Sequence, residues 1–258
     1  MILAIDVGNT NIAIGIVNRD RELVCHWRLA SRTQRTADEV LIHLHELFGL
    51  ESVDRSRIAV AVISSVVPDL THVVEQAVWR LLERKPIVVS TDLNLPVRML
   101  TDTPTEIGSD LLANAVAGYT LAEGAAIVVD FGTALTFTAV DGDGGVRGVA
   151  IAPGLTTAVH GLVAHTAALP MIDLSPPECY IGTNTAASLR SGVVNGFAGL
   201  VDAMVTGIAD EMAPERPMAL ATGGEAVLVT SACRTAVRLE PWLTLRGLYE
   251  IGIRNAGG

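Results

Sequence analysis

Two copies of one short pattern, almost half the chain apart, limit the folds open to this sequence. Residues 1–16 hold an apolar run, then Asp6-Val-Gly-Asn-Thr-Asn11, then a second run rich in isoleucine. Residues 126–140 repeat the arrangement around Asp130-Phe-Gly-Thr133. Each copy is typical of a strand, a tight turn and a returning strand. The two aspartates lie 124 residues apart in a chain of 258, a spacing that indicates two related domains.

The residue types in these turns suit phosphate binding. Gly8 lets the backbone approach a ligand, and Asn9, Thr10 and nearby N–H groups can donate to phosphate oxygens. Asp6 cannot bind an anion directly, so in a phosphate site it would act through a metal ion or its waters. Alone, either segment could equally be an ordinary hairpin turn. Two facing hairpins of this kind would form a nucleotide cleft.

Composition excludes several classes of protein. Half the residues are apolar and few are aromatic, which is typical of a soluble α/β protein. The net charge of −10 argues against a nucleic-acid partner, and without an apolar run of about 18 residues we expect no membrane span. The first strand begins at residue 2 and leaves no room for a signal peptide. Three widely spaced cysteines fit a reducing cytosol, so we expect a cytoplasmic protein.

Hydrophobic periodicity predicts an alternation of strands and helices. The predicted strands beyond the hairpins span residues 22–29, 58–63, 86–90 and 218–224, and the predicted helices span 36–50, 69–83, 106–121, 151–168, 182–212 and 244–255. Glycines at 192, 196 and 199 are expected to interrupt the helix before Met212. The periodicity predicts an α/β fold with a mixed sheet. The order of the first elements resembles half of the actin, Hsp70 and sugar-kinase superfamily fold.

Asp110 has two interpretations. It falls in the first turn of a predicted helix, where the macrodipole favours an ionised carboxylate, so it could be only a helix cap. It could also be a general base that takes a proton from an attacking hydroxyl near the phosphates.

The whole chain resembles type III pantothenate kinase, the family that includes Bvg accessory factor homologues. The matching segments, in order, are Asp6–Asn11, Ser64–Pro68, Gly108–Asp110, Asn114–Gly118, Asp130–Thr133, Ala152–Gly154, Ala168–Pro170, Ile181–Thr185, Ser191–Gly192, Gly199–Asp202, Thr222–Gly224, Leu243–Leu248 and Arg254–Asn255. So many segments in the right order make chance similarity very improbable. A Gly-x-x-x-x-Gly-Lys-Ser/Thr loop is absent, in agreement with an actin-like nucleotide cleft.

The resemblance implies a fold and an activity. The fold would be a duplicated actin-like, ribonuclease H-like α/β fold with two mixed sheets and flanking helices, divided into domains 1–117 and 118–258. The activity would be ATP-dependent phosphorylation of the pantothenate hydroxyl, the first step towards coenzyme A, by a homodimer whose acceptor pocket lies at the interface.

The resemblance also implies site residues. ATP phosphates and Mg²⁺ would be bound by Asp6, Val7, Gly8, Asn9, Thr10, Asn11, Ile12 and Ala13, with Gly132, Thr133 and Gly223 completing the nucleotide site. Asp110 would be the general base, and Asp130, as a metal ligand, would help bind K⁺ or NH₄⁺. Pantothenate would be contacted by Thr101, Gly108, Ser109, Asp110, Leu111 and Thr185, the last from the partner subunit.

The acceptor side departs from the family pattern. Leu111 replaces an arginine that contacts the acceptor, and Thr101 aligns with an aromatic residue. Thr183 replaces a lysine, Val149 a glycine, and Glu225 follows Thr222-Gly-Gly224 where an apolar residue is common. Losing a charged hydrogen bond costs about 1.5–3 kcal/mol, which favours a weakened kinase. The alternatives are an inactive paralogue that binds nucleotide and acts through partners, and a kinase or ATPase that does not use pantothenate.

Overall fold

The computed structural model describes residues 1–256 and contains eleven strands and seven α-helices within that range. The first part of the chain forms β1 Ile2–Val7, β2 Asn11–Val17, β3 Leu23–Ala30, α1 Ala37–Leu50, β4 Val60–Ser65, α2 Pro68–Leu82, β5 Ile87–Val88, β6 Arg98–Met99 and α3 Ser109–Ala122. The remainder forms β7 Ala126–Phe131, β8 Ala134–Val140, β9 Gly145–Pro153, α4 Leu155–Ala164, α5 Thr185–Glu211, β10 Met218–Gly223, α6 Ala226–Thr230, β11 Arg238–Leu239 and α7 Leu243–Asn255. Short 3₁₀ helices occupy Arg55–Arg57 and Pro104–Glu106.

Residue contacts divide the chain into two compact units. The first unit contains Met1–Ala117 and the segment from Leu243 onwards, and the second contains Gly118–Trp242. The division into domains 1–117 and 118–258 stays a prediction, but in this structure α7 packs with the first unit, against β1, β2 and β4. Burial of apolar side chains explains why α7 packs with the first unit although it lies at the C-terminal end of the sequence. The buried side chains of α7 are Leu243, Leu245, Leu248, Tyr249 and Ile251.

The first unit is built on a sheet with strand order β3-β2-β1-β4-β5. β1 pairs antiparallel with β2 and parallel with β4, so the first hairpin occupies the middle of the sheet. β1 is buried along nearly its whole length, as expected for a central strand covered on both faces. Its apolar side chains form one core with α1 and α2, including Leu3, Ile5, Leu44, Phe48, Leu70 and Val78.

The second unit repeats this plan with strand order β11-β10-β7-β8-β9. β7 pairs antiparallel with β8 and parallel with β10, as β1 does with β2 and β4. β8 in turn pairs antiparallel with β9, the counterpart of the β2–β3 pairing. The core of this unit joins one face of the hairpin to α5 and α6 through Ile127, Val129, Phe137, Ala198, Val201 and Val229. The internal repeat predicted from the two aspartate turns is therefore a repeat of the sheet as well.

Two predicted helices differ from the structure. Residues 151–153 were expected to open a helix reaching Ala168, but they complete β9, and α4 spans only Leu155–Ala164. The register of β9 against β8 extends to Pro153, so backbone pairing with a buried neighbour outweighs the helical pattern. The predicted interruption of α5 by three glycines is also wrong, because the helix is continuous over 27 residues. Each of those glycines faces open space, so none is needed for close packing.

α5 is long and apolar enough to cross a membrane by length and composition alone. The same test is passed by core helices of globular proteins, and one side of α5 does pack on the core of its unit through Val194, Ala198, Val201 and Val205. Only 22% of its most apolar window is buried within the single chain, so much of the helix surface is left uncovered.

We predict that Gly247→Ala destabilises the first unit. A Cβ at Gly247 would lie 1.9 Å from the carbonyl oxygen of Ala113, a backbone atom that cannot move without shifting α3. The expected loss in free energy of unfolding, measured in urea, is about 1–3 kcal/mol, as for overpacked cores. Gly49→Ala in α1 is the control, because a Cβ there meets nothing within 4 Å and alanine favours a helix. Equal stability of the two variants would contradict the prediction.

Candidate active site

The turn of the first hairpin is an exposed loop held at both sides. The Gly8 N–H donates to the Asn11 carbonyl oxygen at 3.0 Å, and the Ser31 N–H donates to the Thr10 carbonyl oxygen at 2.9 Å. Asn9, Thr10 and Asn11 are exposed, so their polar groups face solvent at the carboxyl end of β1. Val7 and Ile12, in contrast, are buried, and only their backbone groups could contact a phosphate.

Asp6 is oriented by the neighbouring parallel strand. The β1–β4 register places Asp6 beside Ser64, and the Ser64 hydroxyl donates to Asp6 Oδ1. Ser64 is fully buried, so this donor is fixed in the sheet. A carboxylate held in this way at a strand end, beside an exposed turn, suits a metal bound chiefly through waters and phosphate oxygens. Within residues 1–256, His, Cys, Asp and Glu form no group of three that could hold a metal by themselves.

Two hydrogen bonds fasten the start of α3 to the end of β4. The Ser65 N–H donates to Ser109 Oγ at 2.8 Å, and Ser109 Oγ donates to the Ser65 carbonyl oxygen at 3.0 Å. This reciprocal pair fixes the residue that precedes Asp110. The structure thereby brings Asp6, Gly8, Ser109 and Asp110 to elements joined at one edge of the first sheet.

Asp110 is enclosed and its environment is unusual for an ionised group. Burial raises the pKa of the Asp110 carboxyl above its ordinary value, against the smaller opposing effect of hydrogen bonds from the N–H groups of Leu111 and Asp110 itself. The N–H of Leu111 donates to Asp110 Oδ1 at 2.7 Å. Desolvation therefore outweighs these backbone hydrogen bonds at this position. A carboxylate with a raised pKa accepts protons more readily, as a general base requires.

Gly108 is required by the position of Asp110. A Cβ at residue 108 would lie 2.5 Å from Asp110 Oδ1, closer than real Cβ atoms approach. The glycine of the Gly108-Ser-Asp110 segment is thus explained by the carboxylate that it accommodates.

The predicted acceptor residues of the first unit include one unsatisfied hydroxyl. Thr101 Oγ1 is enclosed and has no hydrogen-bond partner within the described chain. Leu111 is partly buried, and its side chain can donate no hydrogen bond. Thr185, the remaining predicted acceptor residue, is the exposed first residue of α5 in the second unit, directly after the helix cap Asn184.

The second hairpin turn resembles the first but is one residue shorter, because Phe131 pairs with Leu135 whereas Val7 pairs with Ile12. The Gly132 N–H donates to the Ala134 carbonyl oxygen at 3.1 Å, the counterpart of the bond from Gly8. The Thr133 carbonyl oxygen accepts from the Gly154 N–H at 3.1 Å and from Thr157 Oγ1 at 2.7 Å, while Thr133 itself is exposed. The turn is therefore as well fixed as its counterpart.

Asp130 lies against a glycine turn and a buried hydroxyl. Gly223 has φ +97°, and a Cβ there would lie 2.4 Å from the Phe131 carbonyl oxygen and 2.7 Å from Asp130 Oδ1. Thr136 stands opposite Asp130 in the β7–β8 register, and its buried Oγ1 has no hydrogen-bond partner among residues 1–256. Carboxylate and hydroxyl oxygens in this arrangement are suitable ligands for a monovalent cation.

Ser64, Ser65 and Thr136 were not among the predicted site residues. Ser64 and Ser65 were noted only as part of the family segment Ser64–Pro68, and Thr136 only as part of the second hairpin, residues 126–140. A usable signal existed for the serines, because polar residues at the carboxyl end of a strand that pairs in parallel with β1 must lie beside Asp6.

Comparisons with known proteins identify the family. The family model "Type III pantothenate kinase" matches residues 2–207. The type III pantothenate kinase of Moorella thermoacetica is 42% identical over 255 residues, covering 99% of this chain and 100% of the relative. The chain belongs to the type III pantothenate kinase family. The enzyme of that name from Geotalea daltonii is 41% identical, covering 99% of both chains.

Solved structures agree on the fold. A Baf family protein from Campylobacter jejuni superposes with a TM-score of 0.60 at 17% identity, covering 98% of each chain. A ROK family glucokinase from Streptomyces griseus superposes with a TM-score of 0.52 at 13% identity, covering 95% of this chain and 97% of the other. The predicted actin-like, sugar-kinase type of α/β fold is therefore confirmed, as is membership of a family of kinases.

We predict that Asp110→Asn stabilises the protein at neutral pH. Burial raises the folded-state pKa, so the ionised carboxylate destabilises the fold above that pKa, and protonation relieves the penalty as the pH falls through it. The gain in melting temperature should be present at pH 8 and shrink towards acidic pH. Asp69→Asn, in the exposed first turn of α2, is the matched control and should give a small loss. A gain for Asp110→Asn that is independent of pH would contradict this account.

Proposed function

We propose that this protein transfers the γ-phosphoryl group of ATP to the hydroxyl group of pantothenate. Membership of the family over nearly the whole chain carries this proposal. The geometry of Asp110 supports it, because a partly buried carboxylate with a raised pKa is fixed to the same sheet edge as the phosphate-type turn.

Each turn has a separate task in the proposed reaction. Residues 6–13 contact the ATP phosphates from one hairpin, and Gly132 and Thr133 contact them from the other. Gly223 lies where the backbone can approach the nucleoside. Asp110 removes the proton of the pantothenate hydroxyl as its oxygen attacks the γ-phosphorus, and the bond from that phosphorus to the β,γ-bridging oxygen breaks to release ADP.

Two cations fit residues of the site. Asp6, oriented by Ser64, would hold Mg²⁺, and Asp130 with Thr136 would hold K⁺ or NH₄⁺. Bound cations would neutralise charge on the phosphate oxygens. The unsatisfied hydroxyl of Thr136 supports the second site, because a buried polar atom without a partner is rare in native proteins.

The acceptor pocket would be shared between subunits of a homodimer. Thr101, Gly108, Ser109 and Leu111 would contact pantothenate together with Thr185 of the partner subunit. The enclosed Thr101 hydroxyl could then make a hydrogen bond that Leu111 cannot. This function implies a cytoplasmic enzyme, which cell fractionation would test.

The hypothesis of an inactive paralogue rested on the departures of the acceptor side from the family pattern, chiefly Leu111. The general base is present and held by backbone contacts, and the phosphate-side turns match the expected geometry. These observations favour an active kinase whose acceptor binding is weakened.

We predict pantothenate-dependent ADP release with Mg²⁺-ATP and K⁺, reduced about 10²–10⁴-fold in kcat by Asp110→Asn. The amide keeps the shape of the side chain and cannot accept the proton. Replacing K⁺ by Na⁺ should also lower the rate if Asp130 and Thr136 form the cation site. Asp69→Asn serves as control and should keep wild-type turnover. ADP release that pantothenate does not stimulate would refute the proposed acceptor, while ATP binding without any turnover would support the inactive alternative.

We predict a dimer formed through the uncovered side of α5. Gly192, Gly196 and Gly199 are exposed there at i, i+4 and i+7 spacing, beside the helix start that carries Thr185. Light scattering should give twice the mass of one chain, and Gly196→Arg should produce a monomer with strongly reduced pantothenate-dependent turnover. Gly49→Arg, on an exposed position of α1, is the control and should remain a dimer. A fully active monomer would overturn the shared pocket.

A further inference from the structure

One cavity in the second unit has no role in the proposed binding of phosphate. It has a volume of about 300 Å³ and lies between α4, the segment 171–174 and the turn that follows β10. One part of its wall is apolar and consists of Val159, Leu174 and Leu228. The polar part consists of Thr156, His160, Asp173 and Glu225, with Gly224 at the turn itself.

Glu225 has the one side-chain oxygen of this wall that is buried without a hydrogen-bond partner in the described part of the chain. Its Oε1 accepts a hydrogen bond from the Thr156 hydroxyl. Its Oε2 is withdrawn from solvent and has no hydrogen-bond partner in the described part of the chain. A carboxylate oxygen removed from water without a donor is costly, so a rotation of the Glu225 side chain that brings Oε2 from its buried position to a donor in the cavity would be favourable.

The chemistry of the wall defines that donor. A carboxylate only accepts hydrogen bonds, so the ligand must present O–H or N–H groups. Two acidic side chains, Glu225 and Asp173, repel phosphate, so the triphosphate part of a nucleotide is excluded from the cavity. Adjacent hydroxyls match the two oxygens of one carboxylate, and the broad torsion at the end of a glutamate side chain lets these oxygens turn towards them. The apolar wall can take a flat base.

We propose that Glu225 binds the ribose hydroxyls of ATP and makes this kinase select ribonucleotides over deoxyribonucleotides. The inference rests on the proposed use of ATP and adds a specificity-determining residue to it. Glu225 follows Gly223 and Gly224 directly, so the cavity adjoins the turn proposed to approach the nucleoside.

The test compares kcat/KM for ATP, 2′-deoxyATP and 3′-deoxyATP at saturating pantothenate. The wild type should favour ATP over one or both deoxynucleotides by about tenfold or more, as expected for a hydrogen bond to a charged acceptor. Glu225→Ala should bring the ratio close to one, and Glu225→Gln, which keeps one acceptor oxygen, should give an intermediate ratio. Glu211→Ala, at an exposed position near the end of α5, is the control and should keep the wild-type ratio.

A binding measurement separates this inference from the proposed reaction. Calorimetry gives the Kd of ADP and of 2′- and 3′-deoxyADP without any acceptor. Discrimination that Glu225→Ala abolishes supports the inference even if pantothenate is never phosphorylated. A wild type that uses and binds all three nucleotides equally overturns it, as does a ratio that neither Glu225→Ala nor Glu225→Gln changes. The conservative Gln variant keeps the test valid if the Ala variant fails to fold.

Discussion

The parallel pairing at the centre of each sheet is the constraint on which the site depends. β1 runs parallel to β4 and β7 runs parallel to β10, so their carboxyl ends meet at one edge of each sheet. The register then sets Asp6 beside Ser64 and Asp130 beside Thr222. Because side chains alternate between faces, a slip of one residue would turn each aspartate to the opposite face. The hairpins place their exposed turns at the same edges, which is why an acid and a phosphate-type turn occur together twice.

The proposed general base, Asp110, is maintained at a cost to the fold. Asp110 is enclosed, and the raised pKa means that its ionised form is disfavoured by its surroundings. The Ser65–Ser109 pair and the absence of a side chain at Gly108 hold the carboxylate in that place. The same burial that destabilises the charge makes the carboxylate a stronger proton acceptor. Stability and catalysis are therefore opposed at this residue, as is common at active sites.

Sequence patterns predicted the parts of the structure that depend on local chemistry. Asp6-Val-Gly8 and Asp130-Phe-Gly132 were both predicted as hairpin turns, and Thr36, where the first helix was predicted to begin, is the N-cap of α1. The predictions that failed concern features that tertiary packing determines. β9 extends to Pro153 because its backbone pairs with that of β8 up to this residue. α5 continues through three glycines because its other residues pack on a core. The position of α7 follows from which sheet face is open, and a sequence pattern contains no record of that.

The site residues also divide into those that a sequence pattern predicts and those that only the tertiary structure reveals. Glycines and acids stand out in a sequence, whereas a buried hydroxyl such as that of Ser64 or Thr136 resembles any other strand residue. Its role is visible only when the register shows what it faces. The raised pKa of Asp110 was likewise hidden, because its position at the start of a helix predicts the opposite direction.

The resemblance implies that the acceptor side departs from the family pattern, and the free energies involved indicate the effect of that departure. If Leu111 stands in place of an acceptor-binding arginine, one charged hydrogen bond is lost, worth about 1.5–3 kcal/mol, or roughly tenfold to more than a hundredfold in affinity. Removal of a general base would cost about 10²–10⁴-fold in rate, but Asp110 remains in place. The phosphate-side turns also keep their geometry. A chain that had given up catalysis would have no reason to keep a buried carboxylate that destabilises it. The retained base thus makes weakened acceptor binding a better explanation of Leu111 than lost chemistry.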